Sequence, residues 1–197
     1  FMNFLEPILL IHVLTQLGLT QNYIQDQYAI LSGYVVSLLV TPTFFCTIIY
    51  RLYLPIATDD LYYHKSTAFL HLLYALLICL LIGFPFTLIF YFFPKQSLMI
   101  LYNTTSGYQQ LKYMAFPFLL FYLQTPLSTI LQAKNKNKVM FIISIIECTL
   151  EIILTYTLSH YLYVNAILIS LFTGLITTLT LSAIYCFKII IKDTSLS

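Results

Sequence analysis

Two glutamates lie four residues apart in the otherwise apolar segment IIECTLEII (145–153). Four residues are slightly more than one helical turn, so the carboxylates of Glu147 and Glu151 share one face of a helix. If that helix crosses a membrane from about residue 139, Glu147 lies roughly 13 Å along it, near the bilayer centre. An ionised side chain there costs roughly 2.5–3.5 kcal/mol. We therefore expect a proton, a cation or a basic partner to neutralise the pair.

The same acids could instead have a structural role. One carboxyl group could stay protonated and bind a neighbouring hydroxyl group, such as that of Ser144, Thr149 or Tyr156, and so hold helices together. The acids could also pair with basic residues of a part of the protein that precedes this chain. Ion or proton coupling, a structural hydrogen bond and an ion pair are thus three alternatives.

The composition indicates an integral membrane protein. Of the 197 residues, 60% are hydrophobic and only 8% are charged, whereas soluble domains carry about 25% charged residues. The net charge of +2, without a basic cluster among exposed aromatic residues, gives no indication of nucleic-acid binding. The four cysteines lack metal-ligand spacing and are expected to pack as free thiols.

The sequence shows no arrangement typical of an enzyme. It has no Ser/His pattern for nucleophilic catalysis and no Gly-rich phosphate loop. The acidic pair Asp59–Asp60 is interpreted as the solvated start of a loop. No catalytic residue is therefore assigned.

Charged residues separate the apolar stretches, and their spacing predicts a bundle of six transmembrane helices. The predicted helices are about 1–17, 28–56, 67–93, 110–133, 139–158 and 164–187. Pro42 is expected to bend the second helix, because proline removes a backbone hydrogen bond and clashes with the preceding turn.

The basic residues predict the orientation. With six helices, seven basic residues fall on one side, namely Arg51, Lys65, the lysines of KNKNK (134–138), Lys188 and Lys192. Only Lys95 and Lys112 fall on the other side. The positive-inside rule therefore predicts that both chain ends and the loop Lys134–Lys138 are cytoplasmic. The bias towards Ile, Lys, Asn and Tyr suggests an AT-rich bacterial genome, so the expected membrane is a bacterial plasma membrane.

Two long stretches resemble a known family. They are YAILSGYVVSLLVTPTFFCTIIYRLYLPIATDD (28–60) and YMAFPFLLFYLQTPLSTILQAKNKNKVMFIISIIECTLEIILTYTL (113–158). The shared features are the spacing of Gly33, Pro42 and Pro55, and the block YLQTPLSTILQA before a short basic loop. These features resemble the polysaccharide-transport and lipid II flippase branch of the multidrug/oligosaccharidyl-lipid/polysaccharide exporter superfamily, including its sporulation relatives.

The resemblance implies that the chain is the C-terminal of two lobes, with its helices corresponding to the seventh to twelfth of the family. The segment LEPILL (5–10) then matches the start of the seventh helix. Because the chain begins partway into that helix, we expect a preceding N-terminal lobe as its partner. The implied function is the movement of a lipid-linked oligosaccharide, a cell-wall or spore peptidoglycan precursor, by alternating access.

The resemblance also implies a sodium site, since lipid II flippases hold sodium between the seventh, eleventh and twelfth helices. Glu6 matches the acid of the seventh helix, and Glu147 and Glu151 match the pair of the eleventh. In the last helix, the segment AILIS (166–170) would complete the site, through the hydroxyl group of Ser170 or a backbone carbonyl group. A proton could take the place of sodium. Arg51 is a candidate contact for a phosphate headgroup at the cytoplasmic side, although a snorkelling anchor explains it as well.

Two alternative functions remain. The first is a cation-coupled multidrug or metabolite antiporter of the same fold, which would use the same acids. The second and more remote one is a membrane assembly factor that transports nothing. In every case the expected partners are membrane lipid and the N-terminal lobe, and no cofactor is expected beyond the coupling ion.

Overall fold

A computed structural model describes the backbone of residues 2–63 and 67–194 and the side chains of residues 7–63 and 67–191. Within these ranges every regular element is helical. The α-helices are α1 (Met2–Gln16), α2 (Gln21–Ala29), α3 (Ser37–Val40), α4 (Thr43–Tyr62), α5 (Ala68–Phe92), α6 (Pro94–Tyr102), α7 (Tyr108–Ala133), α8 (Asn137–Leu162) and α9 (Ala166–Thr194). A π-helical segment, Ile30–Val36, joins α2 to α3, and a 3-10 turn, Tyr163–Asn165, joins α8 to α9.

Pro42 bends the second predicted helix, as the sequence indicates. The runs Gln21–Val40 and Thr43–Tyr62 meet at an angle of 42°. The bend interrupts the regular backbone hydrogen bonds, and side-chain hydroxyl groups bind two carbonyl groups just before Pro42. The hydroxyl group of Tyr122 donates to the carbonyl oxygen of Leu39 at 2.7 Å, and that of Thr43 donates to Val40 at 2.6 Å. Side-chain hydroxyl groups thus stabilise a broken helix in an apolar environment.

Three helical segments of the described chain are long and apolar enough to cross a membrane: Ala68–Phe92, Tyr108–Ala133 and Asn137–Ile191. The bent run Gln21–Val40 with Thr43–Tyr62 is a fourth if it counts as one crossing. Asn137–Ile191 contains both α8 and α9, which fold back on each other at Tyr163–Asn165. The protein is therefore helical and of the membrane type, while six crossings and a two-lobed fold remain predictions.

The helix α7 lies at the centre of the bundle and contacts α4, α5 and α9. Its close approach to α5 depends on Gly83, because a Cβ atom there would lie 3.0 Å from Cε2 of Tyr122. The opposite face of α5 is exposed and apolar; Leu81, for example, is 72% exposed. In a membrane this face can contact lipid chains, which are as apolar as leucine, so it does not need a protein partner. The helix α1 packs against α8, the helix that carries the two glutamates.

Candidate functional site

The two glutamates of α8 face α9, which runs antiparallel to α8. Glu147 lies beside Thr178, its hydrogen-bond partner, and Glu151 lies against Gly174. One turn further, the hydroxyl groups of Thr155 and Ser170 are 2.7 Å apart. Each step of four residues forward on α8 therefore corresponds to four residues back on α9.

Small side chains on α9 make room for the carboxylates. The buried positions that recur every fourth residue are Ala166, Ser170, Gly174, Thr178 and Ser182. At Gly174 the requirement is strict, because a Cβ atom would overlap Oε1 of Glu151 and lie 2.9 Å from its Cδ and Cγ atoms. Small residues at this spacing let two helices approach closely within a membrane. Glu151 therefore occupies the space that a side chain at position 174 would fill.

Thr178 links the protonation of Glu147 to the backbone of α9. Its hydroxyl group is placed to donate to the carbonyl oxygen of Gly174 at 3.0 Å, and it is also the hydrogen-bond partner of Glu147. A hydroxyl group carries a single proton. It can donate to an ionised Glu147, or it can donate to Gly174 and accept the proton of a neutral Glu147. When the carboxyl group is ionised, Glu147 and the carbonyl group of Gly174 therefore compete for the one proton of Thr178.

The carboxylates line a cavity of about 440 Å³, which we call the glutamate cavity. Ser144, Glu147 and Glu151 of α8 form one of its walls. The opposite walls come from the bent helical run, including Tyr28 and Ser32, and from the aromatic residues of α7. Both carboxylates are only partly buried. The cavity therefore joins two acids to the helix segment that carries the π-helical turn, a local form that is frequent at functional sites.

The residues predicted from the sequence have different positions. Glu147 and Glu151 come together at the cavity, whereas the side chain of Glu6 lies outside the described residues. Ser170 is buried, contacts Thr155, donates to the carbonyl oxygen of Ile167 at 2.9 Å and does not line the cavity. Arg51 is exposed on α4 and does not line it either.

Thr178 and Gly174 are the residues of α9 that actually lie beside the glutamates, and sequence reasoning missed both. The signal was present, because both lie at whole multiples of four residues from Ser170. The sequence does not give the register of α9 against α8, which is needed to decide which of these positions lie beside the glutamates. Within the described side chains, no three histidine, cysteine or acidic side chains come together to hold a metal ion. The oxygen atoms that could bind a cation are those of the two carboxylates, with the hydroxyl groups of Thr178 and Ser144 near them and those of Tyr28 and Ser32 on the opposite wall.

A second acid is also paired within the bundle. Asp60 is only 3% exposed; it accepts a hydrogen bond from Thr67 at 2.8 Å and lies 2.7 Å from Nδ1 of His71. The expectation that Asp59–Asp60 is a solvated loop start is therefore wrong for Asp60, although Asp59 is exposed. This cluster joins the end of α4 to the start of α5, away from the glutamate cavity.

Comparison with known proteins gives one partial match. No protein-family model matches the chain, and no solved structure matches it. Over 133 residues the chain is 29% identical to stage V sporulation protein B of Bacillus subtilis (strain 168). The chain is a distant, partial relative of that protein. The match covers 67% of this chain and 26% of stage V sporulation protein B, so the chain spans about a quarter of its relative.

Proposed function

We propose that the chain is the C-terminal lobe of a membrane flippase that moves a lipid-linked oligosaccharide by alternating access. The partial similarity to stage V sporulation protein B and the apolar helices support this proposal. The cargo would be a precursor of the cell wall or spore peptidoglycan, and the membrane a bacterial plasma membrane. The lysines of Lys134–Lys138 would lie near the anionic cytoplasmic leaflet, where basic residues are attracted to phosphate.

The glutamate cavity is the observation that supports ion coupling. Two carboxylates on one face of α8 cannot both stay charged in a low dielectric without a cation or a proton. Carboxylate and hydroxyl oxygens are hard ligands of the kind that hard cations prefer. Glu147, Glu151 and Thr178 would therefore hold a sodium ion, with Glu6 as a further ligand. A proton shared by the same groups would meet the same electrostatic requirement.

The bent helix would couple ion binding in the glutamate cavity to a conformational change of the transporter. Tyr28 and Ser32 form a wall of the cavity and belong to the run that ends at the 42° bend. A charge change at Glu147 or Glu151 alters which position of that wall is stable, since an uncompensated carboxylate favours a wetter cavity. In a transporter such a local change would bias the rocking of one lobe against the other.

A second candidate is a cation-coupled multidrug or metabolite antiporter. The glutamate cavity favours it in one respect, because Tyr28, Phe118 and Phe121 line it together with the acids. Aromatic faces and carboxylates are the groups that bind organic cations. In that case the cation in the cavity would be the cargo itself.

Neutral variants of the acids test the coupling. Wild type, Glu147→Gln and Glu151→Gln are purified in lipid nanodiscs and unfolded by heat in sodium or choline salts. If the site binds sodium, sodium at about 100 times its Kd stabilises wild type by about 2.7 kcal/mol, and each variant loses this effect. The full-length variants, reconstituted in vesicles, should also lose ion-driven flipping of a fluorescent lipid-linked oligosaccharide.

Asp26→Asn is the matched control, because Asp26 is exposed and does not line the cavity. It removes one acidic charge and should keep the sodium effect. Equal sodium and pH responses in wild type and both glutamine variants would show that the acids only hold α8 and α9 together. Stabilisation by a bulky organic cation instead of sodium would favour the antiporter.

A further inference from the structure

A second, uncharged cavity lies at the end of the bundle opposite the loop Lys134–Lys138. It has a volume of about 280 Å³ and lies between α2, the start of α7 and the turn between α8 and α9. Its polar side chains are Tyr23, Gln27, Gln110, Tyr163 and Asn165. We call this cavity the amide cup. By the predicted orientation it opens on the extracytoplasmic side.

The polar groups of the amide cup are available to a ligand. Across the described ranges, none of its five polar side chains is bonded to another protein group. Each of its three amides can make several hydrogen bonds, and these are open to water or to a ligand. Elsewhere in the chain, hydroxyl groups within the helices mostly donate to backbone carbonyl groups of the preceding turn, as Ser32 does to Tyr28.

The chemistry of these groups defines the ligand. An amide offers both a donor and an acceptor, and so does a phenol. A phosphate would need donors and positive charge, whereas an ammonium group would need acceptors and negative charge. The amide cup has no charged side chain in its lining. Groups that donate and accept at once match hydroxyl groups, so the complementary ligand is neutral and rich in hydroxyl groups.

The amide cup continues into an apolar groove of about 380 Å³. The two cavities share Gln110, Leu162 and Asn165, and the groove is otherwise lined mainly by apolar residues of α7 and α9 such as Met114 and Phe172. A polar cavity joined to an apolar groove fits a molecule with a neutral polar head and an apolar chain. Among membrane lipids, those with a sugar head combine many hydroxyl groups with an apolar chain.

The backbone at the rim of the amide cup has an unusual conformation at Tyr163. Tyr163 has φ 53° and ψ −134°, a region that residues with a side chain rarely adopt. Glycine would take this conformation without strain. A tyrosine here places a half-exposed aromatic ring at the mouth of the amide cup. The ring offers an apolar face and a hydroxyl group, both of which suit a sugar.

We infer that the amide cup and its groove bind the sugar head and the adjoining chain of a neutral glycolipid. This inference takes its biological meaning from the proposed function, since the saccharide part of a lipid-linked saccharide carries the same hydroxyl groups and would meet the cup on the outer side. Binding itself requires neither ion coupling nor transport. A failure of flipping would therefore leave the binding test unaffected.

Lipid retention tests this inference. The chain is reconstituted in phosphatidylcholine nanodiscs with equal amounts of monoglucosyl diacylglycerol, phosphatidylglycerol and diacylglycerol that carry the same acyl chains. Native mass spectrometry then counts the lipids retained. We expect preferential retention of the glucosyl lipid, and a loss of about fivefold in Gln27→Leu and in Gln110→Leu, the effect of one hydrogen bond. Gln25→Leu is the matched control, because Gln25 is exposed on the same helix and does not line the cup.

Tyr163→Gly separates binding from folding. It relieves the backbone strain and removes the ring, so it should unfold at a higher temperature than wild type while it retains less glucosyl lipid. Equal retention of the three lipids by wild type would show that only the apolar groove binds, and would overturn the inference. Preferential retention of phosphatidylglycerol, or a loss in Gln25→Leu as large as in Gln27→Leu, would overturn it as well.

Discussion

Gly174→Ala tests whether Glu151 occupies the seam between α8 and α9. The added Cβ atom would overlap Oε1 of Glu151 and lie 2.9 Å from its Cδ and Cγ atoms. Overpacking of this kind costs about 1–3 kcal/mol. The exchange of glycine for alanine in a helix returns about 0.5–1 kcal/mol. We therefore expect a net loss of about 1–2 kcal/mol in the free energy of unfolding, measured by reversible unfolding in mixed micelles.

The same substitution elsewhere provides the control. At Gly33 a Cβ atom would meet no atom within 4 Å, so Gly33→Ala should stabilise the protein by about 0.5–1 kcal/mol. A double-mutant cycle then assigns the cost to one contact. In the Glu151→Ala background, Gly174→Ala should no longer destabilise, which gives a coupling energy of about 2 kcal/mol.

Two results would contradict the position of Glu151 in the seam. If Gly174→Ala destabilises by the same amount with and without Glu151, the clash involves other atoms and the glutamate does not lie in the seam. Coupling to Glu147 in place of Glu151 would indicate a different register of the two helices.

Three further predictions concern other parts of the fold. In sealed right-side-out vesicles of a cysteine-free background, a cysteine at Lys136 should be protected from an impermeant thiol reagent, and one at Gln96 should react. Tyr122→Phe should destabilise by about 1 kcal/mol in the same unfolding assay, because the carbonyl oxygen of Leu39 loses its donor. Asp60→Ala should destabilise by about 1–3 kcal/mol, because Thr67 and the partly exposed His71 lose the buried carboxylate to which they are bonded.

Each of these has an outcome that contradicts it. The reverse labelling pattern would overturn both the orientation and the number of crossings. A Tyr122→Phe variant as stable as wild type would mean that water reaches the bend at Pro42. Asp59→Asn is the control for Asp60, since Asp59 is exposed and should contribute less than about 1 kcal/mol to the free energy of unfolding. Equal effects at both positions would show that the burial of Asp60 does not determine its contribution to stability.

Charge spacing and helical periodicity carry most of the information on the helices. The predicted helix 110–133 corresponds to Tyr108–Ala133, and the bend at Pro42 follows from the chemistry of proline. The start of α2 at Gln21 could not be predicted in this way, because the segment QNYIQDQY is polar. This polar segment is helical because it continues the helix of the apolar run that follows it. A helix that extends beyond the hydrocarbon of a membrane does not need apolar residues.

The sequence predicts the candidate site only in part. That Glu147 and Glu151 share a face follows from their spacing. Which residues of α9 oppose them depends on the turn Tyr163–Asn165, which sets the register of the two helices. The sequence directed attention to Ser170, whereas the neighbours are Gly174 and Thr178. The pairing of Asp60 with His71 was missed for a similar reason, because the partners lie eleven residues apart on successive helices whose relative placement the sequence does not specify.

The stripe of small residues on α9 has a consequence for how this helix can vary during evolution. The positions that face α8 accept only side chains with little reach, while exposed positions such as Ile169, Ile176 and Ile184 need only be apolar. A saturation mutagenesis of α9 would therefore record a four-residue rhythm of intolerance. Within that rhythm Gly174 would be the least permissive position, because there the space belongs to an acid of the neighbouring helix. The substitution profile of one helix would thus reveal the position of a charge on another.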